Sequence, residues 1–573
     1  MLILETILKN FKQPIIKIQI FIYLIFMIIV LYTSNWGVDP LHDGATFPTP
    51  VALAQGKFIF RDIQNQYGLL QGVIESFGIF LFGPYLIVQR IIGSILVILI
   101  SIFIYLCCAK ISRSEIALGL SILYLALTPS WNYSLSDEWP LSRGTWPNSY
   151  GIFFQLVFIY LYLNFIDNKK MSYLSFCGIF LAISALSRIQ FFFASIIIIL
   201  SLLYFLSKKE KIILISSYFL VIGTTLLVLI SQQSFSFMVE QIFIAIFDGG
   251  DNSVTFLNYT YVFKWLIALM SSSCLIFIIL VMFKNFGLQV IALTMILFTL
   301  NRVIYPMSVS ADGKLFSFLE ISTREIYLIP IPIVMSFVAI QLIQHGFSII
   351  KNSSYRQKNK LKELKKTPIY ITCATSLLQM HNLNYGYLYY IFPVFAVCSV
   401  VLFSDRFKSQ ISNRINLRKE IYSRAILTTI VILSLMNFTI AVSKFTKHFE
   451  APILKYMKAS DAQSFESINS ATLFISHIDK NAKLANNCNY GLYTVNQYGY
   501  ISNSRYPWNL LSSQQKYVKE NIDMNTLPKY YMLCSSNQKP IKIYNFLDTN
   551  YKIIQSFKVN EYELLTIYVR NQI

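Results

Sequence analysis

Apolar runs long enough to cross hydrocarbon as helices recur through the first 443 residues and then stop. They lie at about 17–34, 86–108, 115–131, 149–166, 172–187, 190–206, 212–231, 260–283, 288–304, 326–344, 368–383, 387–403 and 425–443, which predicts about thirteen transmembrane helices. Between the fifth and sixth spans the segment ISALSRIQFFF leaves almost no loop, so Arg188 is expected at a tight helical hairpin. Four connections on the opposite side from the amino terminus are long: 35–84, 132–148, 232–259 and 305–325. Within the first of these, FPTPVALAQGKF and QNQYGLLQGVIESFGIFLFG carry apolar residues at mixed three-to-four spacing. They read as short helices lying along the interface.

Beyond residue 443 the pattern changes. SINSATLFISHIDKNAKLANN reads as an amphipathic helix followed by a strand, and YPWNLLSSQQKYVKENI as another helix. KYYMLCSS, YKIIQSFKV and YELLTIYVR read as strands. The expected organisation is a polytopic membrane region over 1–443 and a small α/β or α+β domain over 444–573.

Composition supports this division. With 55% hydrophobic residues, 16% aromatics and a mean hydropathy of +0.53, the chain has too much apolar surface for a water-soluble core. The net charge of +20 invites a nucleic-acid partner, but its distribution follows topology instead. Connections 1–17, 109–114, 167–172, 207–211, 284–287, 345–367 and 404–424 together carry 24 Lys or Arg. The opposite side carries seven: Lys57, Arg61, Arg143, Arg188, Arg302, Lys314 and Arg324. Short basic loops resist translocation, so the amino terminus is expected in the cytoplasm and no nucleic-acid role is called for. An odd number of spans then puts the carboxyl-terminal domain outside, on the same side as loop 35–84. The first span, flanked by Lys9, Lys12 and Lys17, reads as an uncleaved signal anchor.

Cysteines and glycines add little chemistry. Six of the eight cysteines lie in or beside spans, and Cys488 and Cys534 form the one external pair, open to a disulfide in an oxidising compartment. No phosphate-cradling glycine loop occurs. DGGDNS at 248–253 lacks the spacing of a calcium loop and reads as a solvated turn.

Charged residues make up only 13% of the chain, so their concentration in loop 35–84 marks it as the candidate seat of chemistry. Asp43 has two readings: a general base, or a turn former and helix cap within LHDGATF. Asp39 precedes Pro40 and suits a turn, or a second carboxylate that raises its neighbour's pKa or holds a divalent cation. His42 reads as an interfacial packing residue or an acceptor-orienting one. Arg61 and Asp62 are expected to pair with other loops, with Asp62 an architectural acceptor rather than the base.

The order of HDG at 42–44, GKFIFRD at 56–62 and QYGLL at 66–70, which includes Tyr67, resembles the first external loop of bacterial multi-span glycosyltransferases related to protein mannosyltransferases, members of the GT-C fold class. Phe60 stands where that pattern has Tyr, and Leu69 where it has Pro. The ALSR turn at 185–188, HNLNYGYLYYIFPVF at 381–395 and the tail segments TVNQYGYISNSRYPW and LPKYYMLCSS resemble later parts of the same proteins.

The resemblance implies transfer of a sugar from a polyprenyl-phosphate donor to a glycan, lipid or protein acceptor, with inversion, in a bacterial inner membrane. A first-loop carboxylate would be the base, with spacing to Gly56 favouring Asp43 over Asp39. Guanidinium groups suit the departing phosphate because they remain charged and offer paired donors. The candidates are Arg188 first, Arg302 next, then Arg143 and Arg324, with Lys57 and His381 as assisting residues. Arg188 also has a plain reading as a snorkelling anchor. The resemblance names no definite cofactor, and a divalent cation is the one candidate. A transporter or flippase of lipid-linked saccharides is the alternative, and it predicts ionisable residues near the midplane; Arg90 and Lys264 are the basic residues in or at the edge of spans that the loop counts above leave out.

Alkaline phosphatase fused after residue 443 should be active, and fused within 345–367 inactive; the opposite pattern would invert the topology.

Overall fold

The computed structural model describes residues 14–37, 43, 46–63, 65, 68–112, 114–126, 128, 146–236, 238–239, 367–376, 392–398 and 400–401, and parts of the chain from 438 onward, chiefly 445–448, 454–460, 484–486, 529–536, 551–558 and 563–571. The spans expected at 260–283, 288–304 and 326–344, the helix at 506–522, and most of 425–443 lie outside the described residues, as do Cys274 and Cys488.

The described helices follow the apolar pattern closely. They are α1 (Pro14–Tyr32), α2 (Pro48–Ala54), α3 (Leu69–Phe82), α4 (Leu86–Ala109), α5 (Ser114–Ala126), α6 (Pro147–Asn168), α7 (Met171–Ala185), α8 (Ile189–Phe205), α9 (Lys208–Ser231) and α10 (Thr367–Ser376). Among the described residues, four helical stretches are long and apolar enough to cross a membrane: Ile16–Asn35, Leu86–Ala109, Pro147–Asn168 and Lys208–Ser231. Their outer faces leave Phe21, Ile28, Phe219 and Leu227 exposed, a surface that suits lipid and not water. The protein is a helical membrane protein. The two short helices expected inside the first loop are present as α2 and α3.

Local chemistry explains where helices begin and end. Proline opens α6 at its first turn, where its missing N–H costs nothing, and Lys169 closes it with φ of 56°. Met171 starts α7 two residues later, so α6 and α7 form a hairpin with Lys169 and Lys170 at its tip. Ser207 and Glu210 form a capping box at the start of α9, with the Ser207 N–H donating to Glu210 Oε2 over 2.7 Å. Lys110 reaches Asp167 over 3.2 Å, so the α4–α5 and α6–α7 turns lie at one end of the bundle, as their shared basic character predicts.

The core runs between α1, α4, α5, α6, α7, α8 and α10, where Val97, Ile104, Leu125, Phe158, Leu181 and Leu202 are wholly buried. Helix α7 packs closely on α9 at Gly178. A Cβ there would lie 2.1 Å from Ser217 Oγ and 2.6 Å from the Leu214 carbonyl, so only glycine lets the backbones meet.

The expected strands of the carboxyl-terminal region are β4 (Tyr530–Ser536), β5 (Tyr551–Lys558) and β6 (Glu563–Arg570), joined by β3 (Leu484–Asn486). The sheet order is β3-β4-β6-β5, with β3 parallel to β4 and the other pairs antiparallel. A bulge between Ile553 and Gln555 interrupts the β5–β6 register. A second antiparallel pair, β1 (Phe445–His448) and β2 (Lys458–Ser460), leads in from the membrane region.

The link before β2 packs on the first loop. Leu454 and Met457 share a buried cluster with Phe47, Val51, Ala52, Ile63, Ile79 and Leu86. The Gly37 N–H donates to the Lys458 carbonyl over 2.8 Å, and Trp36 stacks on Phe438 at 5.7 Å. The first loop and the chain after the last expected span therefore meet on one side of the bundle.

Replacing Gly178 by Val should lower stability by about 1–3 kcal/mol or more, because α7 and α9 must separate. Thermal melting in detergent checks this, and an unchanged midpoint would mean the helices are not in contact there.

Candidate active site

The first loop turns inward at Asp43. Its backbone carbonyl accepts from the Phe47 N–H over 2.8 Å and from Thr46 Oγ1 over 3.5 Å, so the main chain closes the turn. Phe47 precedes α2 without any side-chain cap, and Pro48 and Pro50 set the first helical turn. The turn expected at Asp43 is present and runs through its backbone carbonyl, while its carboxylate reaches across to α4. It meets Arg90. Oδ2 lies 2.5 Å from Arg90 Nη2, and both side chains are 0% exposed.

Arg90 stands one turn into α4, amid LIVQRIIGS, where a lone charge needs a counter-ion. Beside it, Gln89 Nε2 donates to Glu75 Oε2 over 2.5 Å. Glu75, on α3, also accepts from Gln71 Nε2 at 3.2 Å and from the Tyr150 hydroxyl at 2.7 Å. Tyr150 lies in the first turns of α6, two residues after Asn148. Asn148 Oδ1 accepts from Arg188 Nη1 over 2.7 Å. A buried polar seam thus runs from Asp43 through Arg90, Glu75 and Tyr150 to the α6 start that holds Arg188.

The hairpin is where sequence places it, with α7 ending at Ala185 and α8 beginning at Ile189. It is clamped to the first loop by backbone bonds. The Gly68 N–H donates to the Ser187 carbonyl over 2.9 Å, and the Leu70 N–H to the Leu186 carbonyl over 3.2 Å. A Cβ on Gly68 would come within 2.4 Å of both carbonyl oxygens, so this close docking requires glycine. Arg188 meets its expected need for a polar partner through an uncharged amide, and it is half-buried.

Arg61 and Asp62 form a separate turn. Arg61 Nε lies 2.8 Å from Asp62 Oδ1, its Nη1 donates to the Gln232 carbonyl over 3.3 Å, and its guanidinium covers the Phe58 ring at 4.6 Å. The expected reach to another loop holds for Arg61, through the 232 turn, whereas Asp62 pairs within its own turn. Asp62 Oδ2 accepts from the Phe58 N–H over 2.8 Å, the architectural role expected of it. Arg61, then the Phe58 bond and the charge of Lys57, hold the Asp62 carboxyl below its ordinary value against partial desolvation. Phe60 sits in this turn, buried, at φ of 67°, an unusual conformation for an aromatic residue.

Asp39, His42, Tyr67, Arg143, Arg302, Arg324 and His381 lie outside the described residues. Among the described residues no three His, Cys, Asp or Glu side chains converge as metal ligands. Sequence reasoning missed Arg90 as Asp43's partner, and missed Glu75, Gln89 and Asn148 altogether. The signal for Arg90 was present, since an ionisable residue inside an apolar span marks function by default. Glu75 gave the same signal more faintly, as the one charged residue of a largely apolar helix.

No family model and no curated protein matches the chain. Among solved structures it is similar to an Archaeoglobus fulgidus oligosaccharyltransferase tethered through a disulfide to an acceptor peptide containing the NVT sequon. The identity is 11% and the TM-score 0.45, over 97% of this chain and 74% of that one. It is also similar to the oligosaccharyltransferase AglB from the same organism in complex with an inhibitory peptide and a dolichol-phosphate, at 13% identity and a TM-score of 0.42, over 90% and 69% of the two chains. A third similar structure is ArnT from Cupriavidus metallidurans bound to undecaprenyl phosphate, at 8% identity and a TM-score of 0.42, over 96% and 97%.

Arg90→Met removes the guanidinium from a buried carboxylate and should cost about 3–5 kcal/mol of stability. Asp62→Asn, at a partly exposed turn, should lower the melting midpoint far less. The Asp62 contribution should be present above its ordinary carboxyl range near 3.8 and vanish as pH falls through its lower folded value. Melting curves of both variants against pH check the contrast.

Proposed function

We propose that the protein is a membrane glycosyltransferase that moves a sugar from a polyprenyl-phosphate donor to an acceptor at the extracytoplasmic face, with Asp43 as general base. The observation that carries this reading is the burial of the Asp43 carboxylate on Arg90 beneath the first loop, in a polar seam that continues to Arg188. The resemblance of HDG, GKFIFRD and QYGLL to the first external loop of multi-span glycosyltransferases supports the same assignment.

In the proposed reaction an acceptor oxygen attacks the anomeric carbon, and the bond from that carbon to the phosphate oxygen breaks. The polyprenyl phosphate departs with the electron pair, and the acceptor proton passes to Asp43. One displacement inverts the anomeric centre. Arg90 holds the carboxylate in a fixed direction, and Arg188, aligned by Asn148, lends its positive charge to the departing phosphate. Because Asp43 is covered, acceptor binding has to open the packing above it. Asp39 is the second carboxylate of this site, and Lys57, Arg143, Arg302, Arg324 and His381 are further donor or acceptor contacts. The extracytoplasmic sheet region is proposed to help enclose the acceptor, in a bacterial inner membrane.

Burial of Arg90 and Glu75 also fits the rival reading, a transporter of lipid-linked saccharides, since such pathways carry buried ionisable groups. Changing Asp43 to Asn separates the two. Transfer in membranes supplied with polyprenyl-phosphate sugars should fall by about 10²–10⁴-fold, the usual weight of a general base, with membrane insertion intact. Undiminished transfer would remove Asp43 as the base, and mass spectrometry of the lipid-linked sugars accumulating in cells lacking the protein would identify donor and acceptor.

A further inference from the structure

We propose that Glu75 is held as a neutral carboxylic acid, and that its proton reserves the positive charge of Arg90 for Asp43, making Glu75 a positioning residue of the site. Among the described residues, Asp43, Glu75 and Arg90 are the charged side chains that are wholly buried. Two of these three are acids and one is a base. Arg90 makes its direct contact with Asp43, whereas every direct partner of Glu75 is uncharged: Gln71, Gln89 and Tyr150. A buried carboxylate without an ion-pair partner carries a large desolvation cost, and such a group takes up a proton instead.

The hydrogen bonds can accommodate that proton. Tyr150 donates to Oε1, which is the carbonyl oxygen of the neutral acid, leaving the hydroxyl at Oε2 facing Gln89. The buried Gln89 Oε1 has no hydrogen-bond partner, so the amide can turn over and accept the Glu75 proton with that oxygen. The charged and titratable groups facing Glu75 are Arg90 from α4 and Tyr150 from α6, with Asp43 of the first loop beyond Arg90; α3 itself contributes neutral Gln71. Ionising Glu75 would place a second anion beside Arg90 and weaken its hold on Asp43.

Glu75 belongs to the segment between the first two spans. Burial pushes its carboxyl up from 4.5 to about 8, against the downward pull of the bonds from Gln89, Tyr150 and Gln71 and of the Arg90 charge. A raised acid means that the folded chain binds the proton more tightly than the unfolded chain. The stabilisation is therefore complete below about 4.5 and is lost as pH rises through about 8.

The test compares the full-length protein with Glu75→Gln in detergent or nanodiscs. At neutral pH the infrared difference spectrum should show a carboxylic-acid C=O band in the wild type that the variant lacks. The wild-type melting midpoint, measured relative to the variant, should fall as pH rises between those two values. Absence of the acid band at neutral pH, or a midpoint difference that does not change with pH, would overturn the proposal. Failure of Glu75→Gln to fold would also count against it, because a neutral isostere should replace a neutral acid. In that case Glu75→Asp provides the spectral comparison, and the acid band must shift in frequency. The link to Asp43 rests on the proposed glycosyltransferase reading, but neither readout involves sugar transfer, so the two can fail independently.

Discussion

The ion pair between Asp43 and Arg90 is the constraint on which the arrangement of the first loop depends. Two charges with no exposed surface are stable only together, so the loop cannot lift from α4 without uncovering one of them. The pair fixes where the loop enters the bundle. From there α2 and α3 lie over the ends of the helices, and Gly68 brings the start of α3 against the α7–α8 hairpin. The hairpin is in turn tied through Arg188 and Asn148 to the start of α6. Each of these contacts is short and local, yet together they connect residues almost 150 positions apart in the chain.

The surroundings of the seam give it meaning. Helices with exposed phenylalanine and leucine faces require lipid, and a bilayer makes every unpaired charge expensive. A helical membrane protein that nevertheless buries Asp43, Glu75 and Arg90 together has retained them against that cost. Packing by Leu454 and Met457 on Phe47 and Val51 closes the same region from the carboxyl-terminal side. The chemistry proposed here needs such a place: water-poor, with a carboxylate held in one direction and a guanidinium near enough to share its framework.

Much of this was legible in the chain itself. The apolar runs marked the ends of α4, α6, α7 and α9 to within a few residues, because proline, lysine and a Ser–Glu capping box punctuate them. The tight turn at Arg188 and the short helices around Val51 and Glu75 followed from spacing, and β4, β5 and β6 from alternation. Asp43 stood out because acids are rare in such a chain. Its partner did not, because Arg90 lies 47 positions further along the chain and no local pattern pairs the two. Glu75 was hidden for a related reason: its three hydrogen bonds come from its own helix α3, from α4 and from α6, and only folding brings the last two to one carboxyl. Arg61 and Asp62 show the reverse case, adjacent in sequence and paired by that adjacency rather than by the fold.

The most direct measurement of the central claim is a double-mutant cycle of Asp43→Leu and Arg90→Met, read by unfolding in detergent. Each single change should be strongly destabilising, and the double variant should recover much of the loss, giving a coupling on the order of 2–3 kcal/mol between the two sites. Additive losses, with no coupling, would show that the carboxylate and the guanidinium do not hold each other and would contradict this account of the site.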